Sequence, residues 1–153
     1  GCTSFYPTKN LGGCGDGGML TVDSDLLADR LRLLAGHGMR PRYYHSVIGI
    51  NSRLDTIQAA ALSGKVRPLE SYTAALRENA LRYCALFEQA GLADTDGDGP
   101  VQLPYSDPAA FHVWNQFSLR IADGRRDDLR AFLQERKIGS EVYSPIPLHQ
   151  QGC

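Results

Sequence analysis

The stretch "SFYPTKNLGGCGDGGML", residues 4–20, carries one cation, Lys9, between an aromatic-proline turn and a glycine-rich run. Lysines usually sit on solvated helix faces. Here Pro7 stiffens the approach to Lys9, and the glycines after it let the backbone pass close to a neighbouring flat group. A lysine beside glycines first suggests a phosphate cradle. The pattern G-x-x-x-x-G-K-[ST] needs its glycines before the lysine, and here the order is reversed. A dinucleotide G-x-G-x-x-G fingerprint also fails, because "GGCGDGG" (residues 12–18) leads into an apparent strand rather than a helix. A third use is covalent, an imine between the lysine amine and a carbonyl. It needs a rigidly aimed amine, surroundings of low polarity and a phosphate anchor, for which Ser4 and Thr8 offer hydroxyls. On spacing alone, a solvent-exposed lysine remains the plainer reading.

Working outward, residues 18–22 ("GMLTV") read as a short strand. Asp23 or Ser24 can cap a helix with Leu26, Leu27, Leu31 and Leu34 on one face, ended by Gly36 and Gly38 as left-handed-tolerant residues. Residues 37–55 have no helical period and read as a long ordered loop of functional use. From Arg53 to Gln89 the pattern is helical, with one stripe of Leu54, Ile57, Ala61 and Leu62 and another of Leu69, Tyr72, Leu76, Leu86 and Phe87. Gly64 and Pro68 predict a break between the stripes, a natural place for one domain to pass into the next, and Gly91 closes the helix. "DTDGDGP" (residues 94–100) looks like a calcium loop, but its twelfth position is Tyr105 where a glutamate is needed, so a solvated turn is expected and no metal. Residues 113–121 predict a strand with Val113, Phe117, Leu119 and Ile121 on one face. Asp127 to Arg136 predict a helix with Leu129, Phe132 and Leu133 inward, and "SEVYS" (140–144) a returning strand. Together these make a β-α-β unit of about thirty residues.

The composition is that of a soluble globular protein, with 153 residues, 42% hydrophobic and 22% charged, enough for one ordinary domain or two small ones. A formal net charge of -1 and the lack of long basic runs argue against nucleic acid or anionic membrane as partners. No apolar stretch approaches the ~20 residues of a membrane helix. Cys2, Cys14, Cys84 and Cys153 fit no zinc spacing and read as free thiols of a reducing cytosol.

The Lys9 segment resembles the cofactor-lysine segment of the DegT/DnrJ/EryC1/StrS family of sugar aminotransferases, which use pyridoxal 5'-phosphate. "GHGMRPRYYHSVIGINSRLDTIQAA" (residues 36–60) is similar to that family's second signature, and "VYSPIPLHQQ" (142–151) to a stretch near its C-terminal end. The three motifs stand in the family's order and span essentially the whole chain. The resemblance implies an α/β fold of the fold type I transferases. Residues 1–66 would be the C-terminal part of the large cofactor domain and 67–153 a truncated small C-terminal α/β domain. The chain then reads as a piece of a longer enzyme whose upstream residues supply the acid facing the pyridine nitrogen.

The same resemblance assigns roles residue by residue. Lys9 matches the lysine that holds the cofactor as an imine and then moves protons. Ser4 matches a phosphate-binding serine. Asn51 matches an asparagine that reaches the phosphate from the partner subunit of a homodimer. Arg53 matches a position that, in relatives acting on sugar acids, meets the substrate from the partner subunit, and Tyr143 and His149 fall in a segment lining the sugar-nucleotide pocket. Each also has a plain structural use: Ser4 capping a turn, Asn51 holding its own loop, Arg53 pairing with Asp55 or a helix end, and Tyr143 and His149 in packing. His37, His45 and His112 read as loop or core histidines. The implied reaction is amino transfer, with glutamate as expected donor, to a keto carbon (C3 or C4, with C3 favoured) of a nucleotide-linked sugar in the cytoplasm. The rival readings are a non-catalytic regulator or scaffold, an inactive fragment, and the family's dehydratase branch. That branch has histidine in place of the lysine, so Lys9 argues against it.

Overall fold

The computed structural model describes residues 1–93 and 99–152, and its contacts separate into two units, Gly1–Arg77 and Glu78–Cys153. The solvated-turn reading of residues 94–100 falls on 94–98, outside the described residues.

In the first unit, β1 (Cys2–Ser4) pairs antiparallel with β2 (Gly18–Leu20), Cys2 opposite Leu20 and Ser4 opposite Gly18. The residues between them form the Lys9 loop. Its mouth is closed by Phe5 N–H to the Gly17 carbonyl at 2.8 Å and by Gly13 N–H to the Phe5 carbonyl at 2.7 Å, with the Phe5 ring buried. α1 (Asp25–Ala35) starts at Ser24, whose Oγ accepts from the Leu27 N–H at 3.3 Å. Its end differs from the expectation: Gly36 has an ordinary negative φ, and the left-handed residues are His37 and Gly38. The Gly38 N–H reaches back to the Leu33 carbonyl at 2.8 Å, as in a Schellman closure with His37 in the left-handed position.

The segment after α1 doubles back along the helix end. Ile50 N–H donates to the Leu34 carbonyl at 2.8 Å, His37 N–H to Ile50 at 3.0 Å and Ser52 N–H to Ala35 at 3.0 Å. A β-carbon on Gly38 would collide with the Val47 carbonyl, so only glycine lets the two arms of this loop touch. The loop is thus ordered, and its tip presents Tyr43, Tyr44 and Ile48 (97% exposed) outward.

α2 (Thr56–Lys65) is capped by Asp55, which accepts from the Gln58 N–H at 2.8 Å. α3 (Leu69–Gln89) follows after residues 66–68, the break that Pro68 predicts. The stripes read from large hydrophobics are covered only in part: Leu31, Leu34, Ala61, Leu69, Leu76 and Phe87 are half-buried, and other members are exposed. On α2, Leu62 is buried but Ile57 is 77% exposed. Along α3 the buried residues are the small Thr73 and Ala80, while Tyr72 and Leu86 are half exposed. On α1, Leu26 is 83% exposed.

In the second unit, α3 ends in a Schellman closure with Gly91 left-handed, Leu92 N–H to Phe87 at 3.0 Å and Gly91 N–H to Glu88 at 2.9 Å. β3 (Val101–Gln102) pairs antiparallel with β4 (Arg120–Ile121), and α4 (Arg126–Glu135) follows. The expected β-α-β unit is not formed. Residues 113–119 are irregular because Trp114 is left-handed (φ 49°) and buried, its ring 4.1 Å from His112 and 5.5 Å from Phe117, which lies 5.2 Å from Tyr83. Aromatic stacking holds this stretch in place of a ladder. Residues 140–144 form no strand either. Glu141 Oε1 accepts from Arg130 at 3.1 Å and from the Val142 N–H at 2.8 Å, which anchors the segment to α4 through a side chain.

Candidate active site

The short β1–β2 pair fixes both ends of the Lys9 loop. Lys9 N–H donates to the Tyr6 carbonyl at 2.9 Å, closing a turn over Pro7 and Thr8. The Lys9 side chain is exposed, and its ammonium forms no hydrogen bond or ion pair with the described residues. Ser4 ends β1. Its Oγ accepts from the Tyr6 N–H at 3.2 Å, which leaves the hydroxyl hydrogen free to donate.

Asn51 and Arg53 form a pair, with Arg53 Nε donating to Asn51 Oδ1 at 3.0 Å. A guanidinium can only donate, so this bond fixes the carboxamide orientation and turns its N–H groups away from Arg53. The pair therefore presents only donors: the Asn51 amide nitrogen and the two terminal nitrogens of Arg53. The alternative partner for Arg53, Asp55, is engaged as the α2 cap. Ser4 and Arg53 line one open groove of about 760 Å³, with Asp16 to Leu20, Arg32 and Leu54. Neither Lys9 nor Asn51 lines it. Tyr143 and His149 lie in the second unit, both exposed, Tyr143 after α4 and His149 in a one-turn helix (Leu148–Gln150).

Two residues absent from the sequence reading hold the Lys9 loop from α2. Gln58 Oε1 accepts from the Cys14 N–H at 2.7 Å, and Lys65 Nζ donates to the Gly12 carbonyl at 2.7 Å. Gln58, Leu62 and Lys65 are spaced four and then three residues apart, which sets them on one face of α2. The signal available in the sequence was two polar residues flanking a leucine on that face, directly behind a glycine-rich loop.

The fold is that of pyridoxal-phosphate-dependent aminotransferases. A DesV structure from S. venezuelae, solved in complex with a ketimine intermediate, superposes with a TM-score of 0.88 at 38% identity, covering 99% of this chain and 38% of that one. The chain belongs to the DegT/DnrJ/EryC1/StrS aminotransferase family, which matches residues 1–153. Among curated relatives, a pleiotropic regulatory protein of Geobacillus stearothermophilus is 45% identical over 97% of this chain and 38% of its own length. The dTDP-3-amino-3,4,6-trideoxy-alpha-D-glucose transaminase of Streptomyces venezuelae is 42% identical over 95% of this chain and 36% of its own length. The chain thus spans well under half the length of these relatives. The family's cofactor is pyridoxal 5'-phosphate.

The residues present fit that cofactor. Among the described residues, Lys9 offers an amine with no partner on a loop pinned at both ends, and Ser4, Asn51 and Arg53 offer N–H and O–H donors with no carboxylate bonded to them.

Proposed function

We propose that this chain is part of a cytoplasmic, homodimeric aminotransferase that moves an amino group from glutamate to the 3-keto carbon of a nucleotide-linked sugar. Residues 1–66 belong to the large cofactor domain and 67–153 to the small one. The observation that carries the reading is the Lys9 amine, held on a pinned turn without a partner among the described residues, in a chain of this family. The name of the S. venezuelae relative, a 3-amino sugar transaminase, supports carbon 3. The free thiols of Cys2, Cys14 and Cys84 suit a reducing compartment. Apolar side chains left outward in each unit, Ile48 and Ile57 in the first and Phe111 and Leu148 in the second, suit a chain covered by further protein.

When bound, pyridoxal phosphate supplies an aldehyde to receive the amino group and an electron-withdrawing ring. Lys9 Nζ would hold the cofactor, and as a free amine it would take the proton from the donor carbon and return one to the acceptor. Ser4 Oγ donates to the phosphate. Asn51, its carboxamide oriented by Arg53, donates to the phosphate from the partner subunit. Arg53 directs its terminal nitrogens at an anionic group of the substrate. Tyr143 and His149 contact the sugar nucleotide.

The test is Lys9→Ala in the full-length enzyme. The expected result is loss of the cofactor's visible absorbance, loss of the glutamate half-reaction, and no cofactor mass on the residue 9 peptide after borohydride. Retention of the wild-type spectrum would exclude Lys9. A second reading, a non-catalytic regulator, draws on the 45% identical regulatory relative. A glutamate half-reaction in the wild type decides against it.

A further inference from the structure

We infer that Gln58 and Lys65 are positioning residues for Lys9: α2 clamps the lysine loop through two side chains, and the clamp sets where the amine points. This rests on the reading of Lys9 as the cofactor lysine. The two bonds span 44 and 53 residues of chain and grip opposite backbone groups of the loop, the Cys14 N–H and the Gly12 carbonyl. The Lys65 bond is partly buried, although the residue itself is exposed. The glycines are spaced to admit the clamp. A β-carbon on Gly13 would stand 2.7 Å from Gln58 Oε1, and one on Gly15 would stand 3.0 Å from Gln58 Nε2. Gly13 and Gly15 therefore leave room for the Gln58 amide beside the loop backbone.

The clamp connects to Lys9 by backbone contacts alone. A β-carbon on Gly12 would collide with the Pro7 carbonyl and stand 2.9 Å from the Tyr6 carbonyl, so the clamped arm bears directly on the Tyr6–Pro7 arm. The Tyr6 carbonyl accepts the Lys9 N–H at 2.9 Å. From Lys65 to Gly12, to Pro7 and Tyr6, to Lys9, every step is a hydrogen bond or a backbone contact, and the contact at Gly12 leaves no room for a β-carbon. Lys65 also lies in the last turn of α2, where a cation is favoured by the helix dipole. A purely dipolar role needs no specific carbonyl, and the loop carbonyl at 2.7 Å is what distinguishes the clamp.

The experiment uses the full-length holoenzyme and its apo form. Gln58→Met keeps the side-chain length and removes the acceptor, while Gln58→Glu keeps an acceptor. Lys65→Met removes the second grip and serves if Gln58→Met does not fold. In the apo-protein, hydrogen exchange at the Cys14 amide is expected to rise at least about tenfold in either Met variant. In the holoenzyme, the pH midpoint of the cofactor's visible absorbance shifts, and kcat falls roughly ten- to hundredfold with KM for the amino donor within about twofold, as for a misaimed group. Gln58→Glu recovers most of the loss. Unchanged exchange and an unchanged absorbance midpoint in both Met variants would overturn the proposal. So would a kcat loss that only tracks a lowered thermal midpoint and that Gln58→Glu fails to recover. The exchange readout does not involve the cofactor, whereas Lys9→Ala tests the underlying assignment, so the two failures are told apart.

Discussion

Replacing Asn51 by aspartate separates an anion site from a loop brace. In the wild type, Arg53 Nε bonds Asn51 Oδ1 at 3.0 Å and leaves the amide N–H groups outward. Asn51→Asp keeps the acceptor for Arg53 but replaces the outward N–H groups with a carboxylate oxygen, and the pair's net charge falls from about +1 to about zero. Both residues are exposed, so the new ion pair changes stability by only about 0–1 kcal/mol. Binding of a phosphate loses a hydrogen bond to a charged acceptor, about 1.5–3 kcal/mol, and gains a like-charge neighbour. At about 1.4 kcal/mol per decade, that is a tenfold to hundredfold weaker cofactor affinity at least. The assay is a spectroscopic titration of the full-length apoenzyme with pyridoxal phosphate, beside a thermal melt of the same protein. Binding within about twofold of wild type, with an unchanged melt, would refute the donor-pair reasoning. A large fall in the melt would show that Asn51 braces its loop instead.

Three further outcomes follow. If Asn51 serves the partner's site, mixing Lys9→Ala and Asn51→Ala subunits of the full-length enzyme restores up to one working site per dimer. No recovery, with subunit exchange demonstrated, counts against a shared site. Residues 1–153 alone show no amino transfer and only weak cofactor binding, because Lys9 stands exposed with no wall of described residues around its ammonium; a stoichiometric cofactor band with glutamate turnover would overturn this. Among the described thiols, Cys84 alkylates more slowly than Cys2 or Cys14 near pH 8. Burial first and the Glu88 carboxylate second push its thiol up, and the thiolate is the reacting form. Equal rates by peptide mass analysis would contradict that.

What the sequence carried plainly was what had to be local. The Lys9 turn, the Ser24 cap, the break before Pro68 and the Gly91 closure each depend on a few adjacent residues, and each is found, whereas the helix expected from Arg53 starts only at Thr56, behind an Asp55 cap. The donor pair was half legible: Asn51 and Arg53 came from the resemblance, but their mutual bond depends on Asp55 being taken by α2, which only the folded loop shows. The β-α-β unit was misread because alternation at 113–121 is also what an aromatic cluster produces, and a left-handed Trp114 turns the chain out of a strand. The clamp escaped because its bonds join residues more than forty apart. The stripe residues that stay exposed have a different cause. Large hydrophobics mark every surface a helix must cover, and small residues such as Thr73 and Ala80 mark where this chain packs most closely on itself. Leu26 and Ile57 sit on good helical stripes yet face outward. Apolar residues left outward are where the chain asks for cover; they occur in both units, and those on α1 and α2 flank the loops bearing Lys9, Asn51 and Arg53. In the first unit, then, exposed apolar surface lies beside the loops that carry the proposed chemistry, which suits a reading in which this chain aims Lys9 and further protein encloses it.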